Sequence, residues 1–184
     1  MLTHPLAHHQ PAEAEGGALR LAPLPAMTKL DLRARDAMVE RFGDVLDTAL
    51  PTVPLTSTHN HDVSVLWLGP DQWLVLGGDV QAKLEDALAD GFGAVTDVSQ
   101  QLVGLELRGP LGFDLLACGC RLDLHPKALN EGFASRTGLA KADIILHRRP
   151  DDGGPVLWLF GRRSFSDYLW HWLLTAGREF GLRR

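Results

Sequence analysis

Apolar and polar positions along this chain fall into short, repeating patterns. Leu30 and Leu32 alternate with Lys29, Asp31 and Arg33, the period of a half-buried strand. Met38, Phe42, Val45, Leu46 and Ala49 then keep the spacing of one helical face, with Asp36 placed to cap it and Pro51 and Pro54 closing it. Residues 62–68 and 72–76 read as two strands joined by a Gly69-Pro70-Asp71 turn, which makes a hairpin. Residues 80–89 read as a helix with Val80, Leu84, Ala87 and Leu88 inward. A second series follows: strands at 94–98 and 103–108, then a helix entered at Pro110 and running to about Cys118. Strands at 133–138 and 142–148 come next, then a turn at Asp151-Asp152-Gly153-Gly154 and a returning strand at 156–160. The closing helix spans 164–176, and Ser164 with Asp167 has capping-box spacing.

The two series echo each other. Leu30-Asp31-Leu32-Arg33 matches Leu105-Glu106-Leu107-Arg108, Pro51 matches Pro126, and Val65-Leu66-Trp67-Leu68 matches Val156-Leu157-Trp158-Leu159. Strand–helix–hairpin–helix thus occurs twice. The predicted class is α+β, with duplicated halves forming antiparallel sheets covered by helices. The predicted organisation is a disordered tail at 1–17 and a single domain at 18–184, with halves at about 28–93 and 94–184. The tail expectation rests on Pro, His, Ala and Glu without periodicity, followed by an extended stretch to residue 26.

Composition narrows the classes. The 184 residues are 45% hydrophobic and 22% charged, as in a globular protein. A formal charge of −5 with no long basic run argues against nucleic acid and anionic membrane as main partners. No apolar run approaches the length of a membrane span. Residues 1–17 lack the pattern of a signal peptide. Two cysteines make no disulfide framework, so the expected compartment is the cytoplasm. Five Trp against a single Tyr is an excess that needs a structural home.

Candidate chemistry is sparse. Cys118-Gly119-Cys120 with His125 is too tight and too short of ligands for a zinc site. His59-Asn60-His61 reads as a solvated loop before a strand, and His4, His8 and His9 lie in the tail, where they would bind nickel only adventitiously. Ser64, Ser99 and Ser164 lack a nucleophile-elbow context. Gly109-Pro110 followed by Gly112 reads as a strand-to-helix turn, and a phosphate would need its amides free. Asp97 with Ser99 reads as a strand-end cap, or as a contact to folate or an amine in a binding module. No catalytic, cofactor-binding or metal residues are assigned.

The closing helix carries the Trp excess. Phe165, Tyr168, Leu169, Trp172, Leu173, Ala176 and Phe180 share one face. Trp170 and Leu174 point away from its centre, on a side shared with Asp167, His171 and Arg178. Either the helix is buried on two sides or this pair meets another protein. The candidate partner-interface residues are therefore Trp170 and Leu174.

Several motifs, in order, carry a family resemblance. Trp67-Leu68-Gly69-Pro70-Asp71-Gln72-Trp73-Leu74, Asp97-Val98-Ser99, Leu107-Arg108-Gly109-Pro110, the Leu115–Leu124 segment followed by His125-Pro126, Gly132-Phe133, Arg136-Thr137, and Arg163-Ser164-Phe165 through Leu169-Trp170 and Trp172-Leu173 run from about residue 28 to 181. The set resembles the gamma subunit of heterotetrameric sarcosine oxidase. It departs from the family pattern at Gln72, where Glu is usual, and at Cys118, an additional cysteine.

The resemblance implies a fold related to the folate-binding aminomethyltransferase of glycine cleavage. It implies an accessory, non-catalytic scaffold subunit in a complex that oxidatively demethylates sarcosine to glycine, with tetrahydrofolate as one-carbon acceptor. The implied partners are alpha, beta and delta subunits, which would carry FAD, FMN, NAD, tetrahydrofolate and zinc, with no cofactor in this chain. Two alternatives stay open: a stand-alone folate-binding protein or aminomethyltransferase, for which Asp97 is the available carboxylate, and the matching subunit of another N-methyl amino-acid dehydrogenase.

Overall fold

The computed structural model describes residues 5–89, 91–125, 127–150 and 153–183. His4, Pro126 and the expected turn residues Asp151 and Asp152 lie outside them. The chain divides into two compact units, one of residues 26–100, the other of 1–25 with 101–184.

In the first unit, β3 (Lys29–Ala34) leads into α1 (Ala37–Leu46), β4 (Ser57–His59), β5 (Val63–Gly69), β6 (Gln72–Gly77), α2 (Gln81–Leu88) and β7 (Gly93–Asp97). The sheet order is β4-β5-β6-β3-β7, with every pair antiparallel. Alternation places Leu30, Leu32, Val63, Val65, Trp73 and Val75 in one core cluster with Met38, Phe42 and Leu46 of α1 and Leu84 of α2. Of the residues that define the α1 face in the sequence, Met38, Phe42 and Leu46 bury and Val45 packs partly buried against them, while Ala49 lies past the end of the helix and is exposed. α1 ends where Asp47 turns left-handed (φ 50°), a conformation Asp tolerates. Asp36 precedes the helix, but its side chain makes no capping hydrogen bond.

The second unit contains β1 (Ala12–Glu13), β2 (Arg20–Pro23), β8 (Leu102–Arg108), α3 (Gly112–Ala117), β9 (Ala134–Leu139), β10 (Ala142–Arg149), β11 (Val156–Arg162) and α4 (Ser166–Gly177). Its sheet runs β1-β2-β8-β11-β10-β9, again antiparallel throughout. The core joins Val103, Leu105 and Leu107 to Leu115 and Leu116 of α3 and to Leu169, Trp170 and Leu173 of α4.

The duplication holds at the level of topology. β9, β10, β11, β8 and β2 take successive places in one sheet, as β4, β5, β6, β3 and β7 do in the other. The fifth place is filled by the strand after α2 in the first unit and by an N-terminal strand in the second. Two expectations change accordingly. Residues 94–98 close the first sheet by pairing with β3 rather than opening the second half. The echo between Val65–Leu68 and Val156–Leu159 joins non-equivalent strands, because the counterpart of β11 is β6. Each repeat also has a further strand, β4 or β9, between its first helix and its hairpin.

Residues 5–17 are not the expected disordered tail. Leu6, Ala12, Leu19 and Leu21 are fully buried in the core of the second unit. β1 pairs with β2, and Glu13 exchanges backbone hydrogen bonds of 2.9 and 3.1 Å with Arg183. The stretch hides its structure because its apolar residues are too widely spaced to show a period, and pairing distant in sequence holds it.

Candidate functional site

In the first unit, Lys29 on β3 is buried, and its ammonium donates to the carbonyls of Met27 at 3.0 Å and Ser99 at 3.2 Å. Burial pushes the Lys29 amine below its ordinary value, opposed in part by the charge of Asp97. The Asp97 carboxylate is exposed and accepts the Ser99 amide at 2.8 Å. Hydrogen bonds from Ser99, with a smaller contribution from Lys29, hold it below the usual carboxylate range. The Ser99 hydroxyl accepts the Lys29 amide at 2.8 Å. Asp-Val-Ser therefore caps the end of β7 and ties it to β3. Asp97 is thus an exposed residue committed to a strand-end cap, the first of the two uses its sequence context allows.

The Gly-Pro-Asp turn has a related internal use. Asp71 accepts from Arg35 at 2.7 and 3.1 Å and from Arg33 at 3.3 Å, and these guanidinium contacts, Arg35 first, lower its carboxyl pKa. Gln72 donates its side-chain amide to Asp31 at 2.6 Å. A glutamate there would set two carboxylates against each other. Asn60, between two exposed histidines, is the informative residue of its loop. Its amide donates to Leu46 at 2.7 Å, and its carbonyl accepts from Asp62 and Val63 at 2.9 Å. It thus satisfies the end of α1 and shapes the entry to β5.

In the second unit, the Gly109 amide donates to Pro155 at 3.0 Å, Leu111 to Ala18 at 3.2 Å and Gly112 to the Gly109 carbonyl at 3.0 Å. These amides serve carbonyls, so the phosphate reading of this turn is set aside. Cys118 is exposed and Cys120 half-buried, both free thiols. Gly119 between them lies under Trp172: a Cβ there would sit 2.6 Å from the indole. The His125 ring nitrogen accepts the Lys127 amide at 3.2 Å. Cys-Gly-Cys is a close-packing device for α4.

Trp170 is fully buried, so it is not the exposed partner residue expected at this position. The ring of His9 stacks on it at 4.7 Å and 17°. Leu174 is partly buried against the same core. The helix is covered on two sides, and the second cover is the N-terminal segment read as a tail. Ser164 and Asp167 form no capping box: α4 starts at Ser166 without a side-chain cap, and Asp167 faces histidines instead. His9 Nε2 lies 3.1 Å and His8 Nε2 3.5 Å from one Asp167 carboxylate oxygen. Among the described residues, this is the one group of three side chains able to share a metal ion, with ligand atoms all within 4.8 Å. Sequence reasoning missed it because residues 8 and 167 meet only through the fold.

The duplicated antiparallel architecture defines an aminomethyltransferase-type fold. The glycine-cleavage aminomethyltransferase T of Bartonella henselae superposes with TM-score 0.65 at 15% identity, over 84% of this chain and 45% of that one. Within that fold class, the chain belongs to the sarcosine oxidase gamma subunit family, whose model matches residues 33–179. It is 32% identical to the sarcosine oxidase subunit gamma of Corynebacterium sp. strain P-1, covering 96% of this chain and 90% of that protein. It is 33% identical to the corresponding subunit of Arthrobacter sp., with the same coverage. A chain of the heterotetrameric sarcosine oxidase from Corynebacterium sp. U-96, solved with pyrrole 2-carboxylate, superposes with TM-score 0.90 at 28% identity, covering 100% of this chain and 98% of that one.

Proposed function

We propose that this chain is the accessory gamma subunit of a heterotetrameric sarcosine oxidase. The observation that carries the reading is the end-to-end superposition on one chain of such an enzyme, with TM-score 0.90. Its role is to stabilise an assembly with alpha, beta and delta subunits that carry FAD, FMN, NAD, tetrahydrofolate and zinc. The polar groups described above support this, since they cap strands, close turns and anchor helices. The complex converts sarcosine to glycine, with tetrahydrofolate taking the one-carbon unit. The proposed compartment is the cytoplasm, where Cys118 and Cys120 would stay reduced.

Two measurements test the reading. Material purified through a tag on this chain should form hydrogen peroxide when given sarcosine. Calorimetry of the isolated chain with tetrahydrofolate should give no binding heat. Micromolar folate binding by the isolated chain, with no sarcosine-dependent peroxide from the purified material, would favour a stand-alone folate protein.

A further inference from the structure

We propose that His8, His9 and Asp167 form a binding site for one divalent transition-metal ion of the zinc class, which staples the N-terminal segment to helix α4. Two imidazoles converge on a single carboxylate oxygen, at 3.1 and 3.5 Å. One hydrogen bond explains the first distance. The second exceeds the usual reach of an N–H···O bond, about 2.7–3.2 Å. Both distances lie close to the separation between neighbouring ligands around a tetrahedral zinc, about 3.3 Å for bonds of about 2.0–2.1 Å. The three ligand atoms lie within 4.8 Å of one another, so a small closure would bring them onto one ion. Imidazole and carboxylate are the donors that borderline cations such as zinc take.

The site is partly built before any ion arrives. His9 is 95% buried, stacked on Trp170 at 4.7 Å and met edge-on by His171 at 5.4 Å. Asp167 stands in the first turn of α4. His8 and Asp167 are about two-thirds exposed, with side-chain values of 62% and 61%, which leaves an open side for water as a further ligand. An ion here would join residues 8 and 9 to the helix bearing Trp170, Leu169 and Leu173. The same N-terminal segment supplies Leu6 and Ala12 to that core.

The test uses the full-length chain, tag-free and stripped with chelator, titrated with Zn2+ by calorimetry and with Co2+ by visible absorption. We expect one equivalent of Zn2+ per chain at micromolar Kd or tighter, and Co2+ bands of a four- or five-coordinate ion. His8→Ala and Asp167→Asn should each weaken binding by tenfold or more. Both side chains are mostly exposed, so the metal-free variants should melt like the parent, and if one fails to fold the other still decides. Saturating Zn2+, at about a hundred times Kd, should raise the parent's Tm by roughly 5–10 °C and leave the variants unmoved. No binding at 100 µM Zn2+ would overturn the proposal. So would equal affinity in the combined His8→Ala, Asp167→Asn variant, which would place the ion on other surface histidines.

Discussion

Replacing Trp170 with alanine removes the largest fully buried side chain of the second unit. The side chain is fully buried, lies in the same core cluster as Leu6, Leu169 and Leu173, and stacks on His9. Its loss removes a large apolar surface and leaves a cavity between α4 and the N-terminal segment. Trp-to-Ala changes at such sites cost about 3–5 kcal/mol. That is a large part of the roughly 5–15 kcal/mol that holds a domain folded. At roughly 2–4 °C per kcal/mol for a chain of this length, Tm should fall by about 6–20 °C. The indole N–H has no hydrogen-bond partner among the described residues. Trp170→Phe therefore removes an unsatisfied donor while keeping most of the ring, and it should stay within about 1.5 kcal/mol of the parent. Circular dichroism with urea and thermal melts on the isolated chain measures both. A Trp170→Ala chain melting within about 2 °C of the parent but failing to enter an assembly would refute this reasoning. It would restore Trp170 as a surface anchor.

Other changes separate the remaining contacts. Trp73→Phe should cost more than Trp170→Phe, by about 1–3 kcal/mol in urea melts, because the Trp73 indole donates to the Pro51 carbonyl at 2.7 Å in a buried site. Gly109→Ala should lower Tm clearly. Gly109 has φ +107°, and a Cβ there would lie 2.5 Å from the Ala18 carbonyl oxygen; an unchanged Tm would count against this close approach. Lys29→Met should flatten the rise in stability at alkaline pH. Burial lowers the folded pKa of Lys29, so the unfolded chain binds more protons between that value and about 10.4, and stability grows with pH across that window; an unchanged slope would count against the buried charge. Asp71→Asn should remove part of the acid sensitivity. The folded pKa of Asp71 is depressed by Arg35 and Arg33, so its stabilisation is present above the unfolded value and disappears as pH falls through the folded one. Equal acid melts for variant and parent would exclude the contribution.

The helix faces and hairpins were readable because each shows its period within one element. Met38, Phe42 and Leu46 mark α1, and Trp67 faces Trp73 across the predicted turn. The repeat could be read from Leu30–Arg33 and Leu105–Arg108, which occupy equivalent strands. What could not be read depends on partners distant in sequence. β4 is three residues long and lies among Pro, Ser and Thr. β2 falls in the stretch read as extended, but β1 is held by β2 and by Arg183, so nothing local announces it. The Trp170 environment follows from the same gap. With residues 1–17 read as tail, the second flank of α4 had no cover, and a buried tryptophan looked like an exposed one. The His8–His9–Asp167 group was missed for that reason too.

Native mass spectrometry of the assembly recovered through a tag on this chain in its own cells tests the subunit assignment most directly. A heterotetramer of four different chains, one copy each, with flavin absorbance in the same peak, is the expected result. Recovery of this chain alone, or only with copies of itself and without flavin, would contradict it.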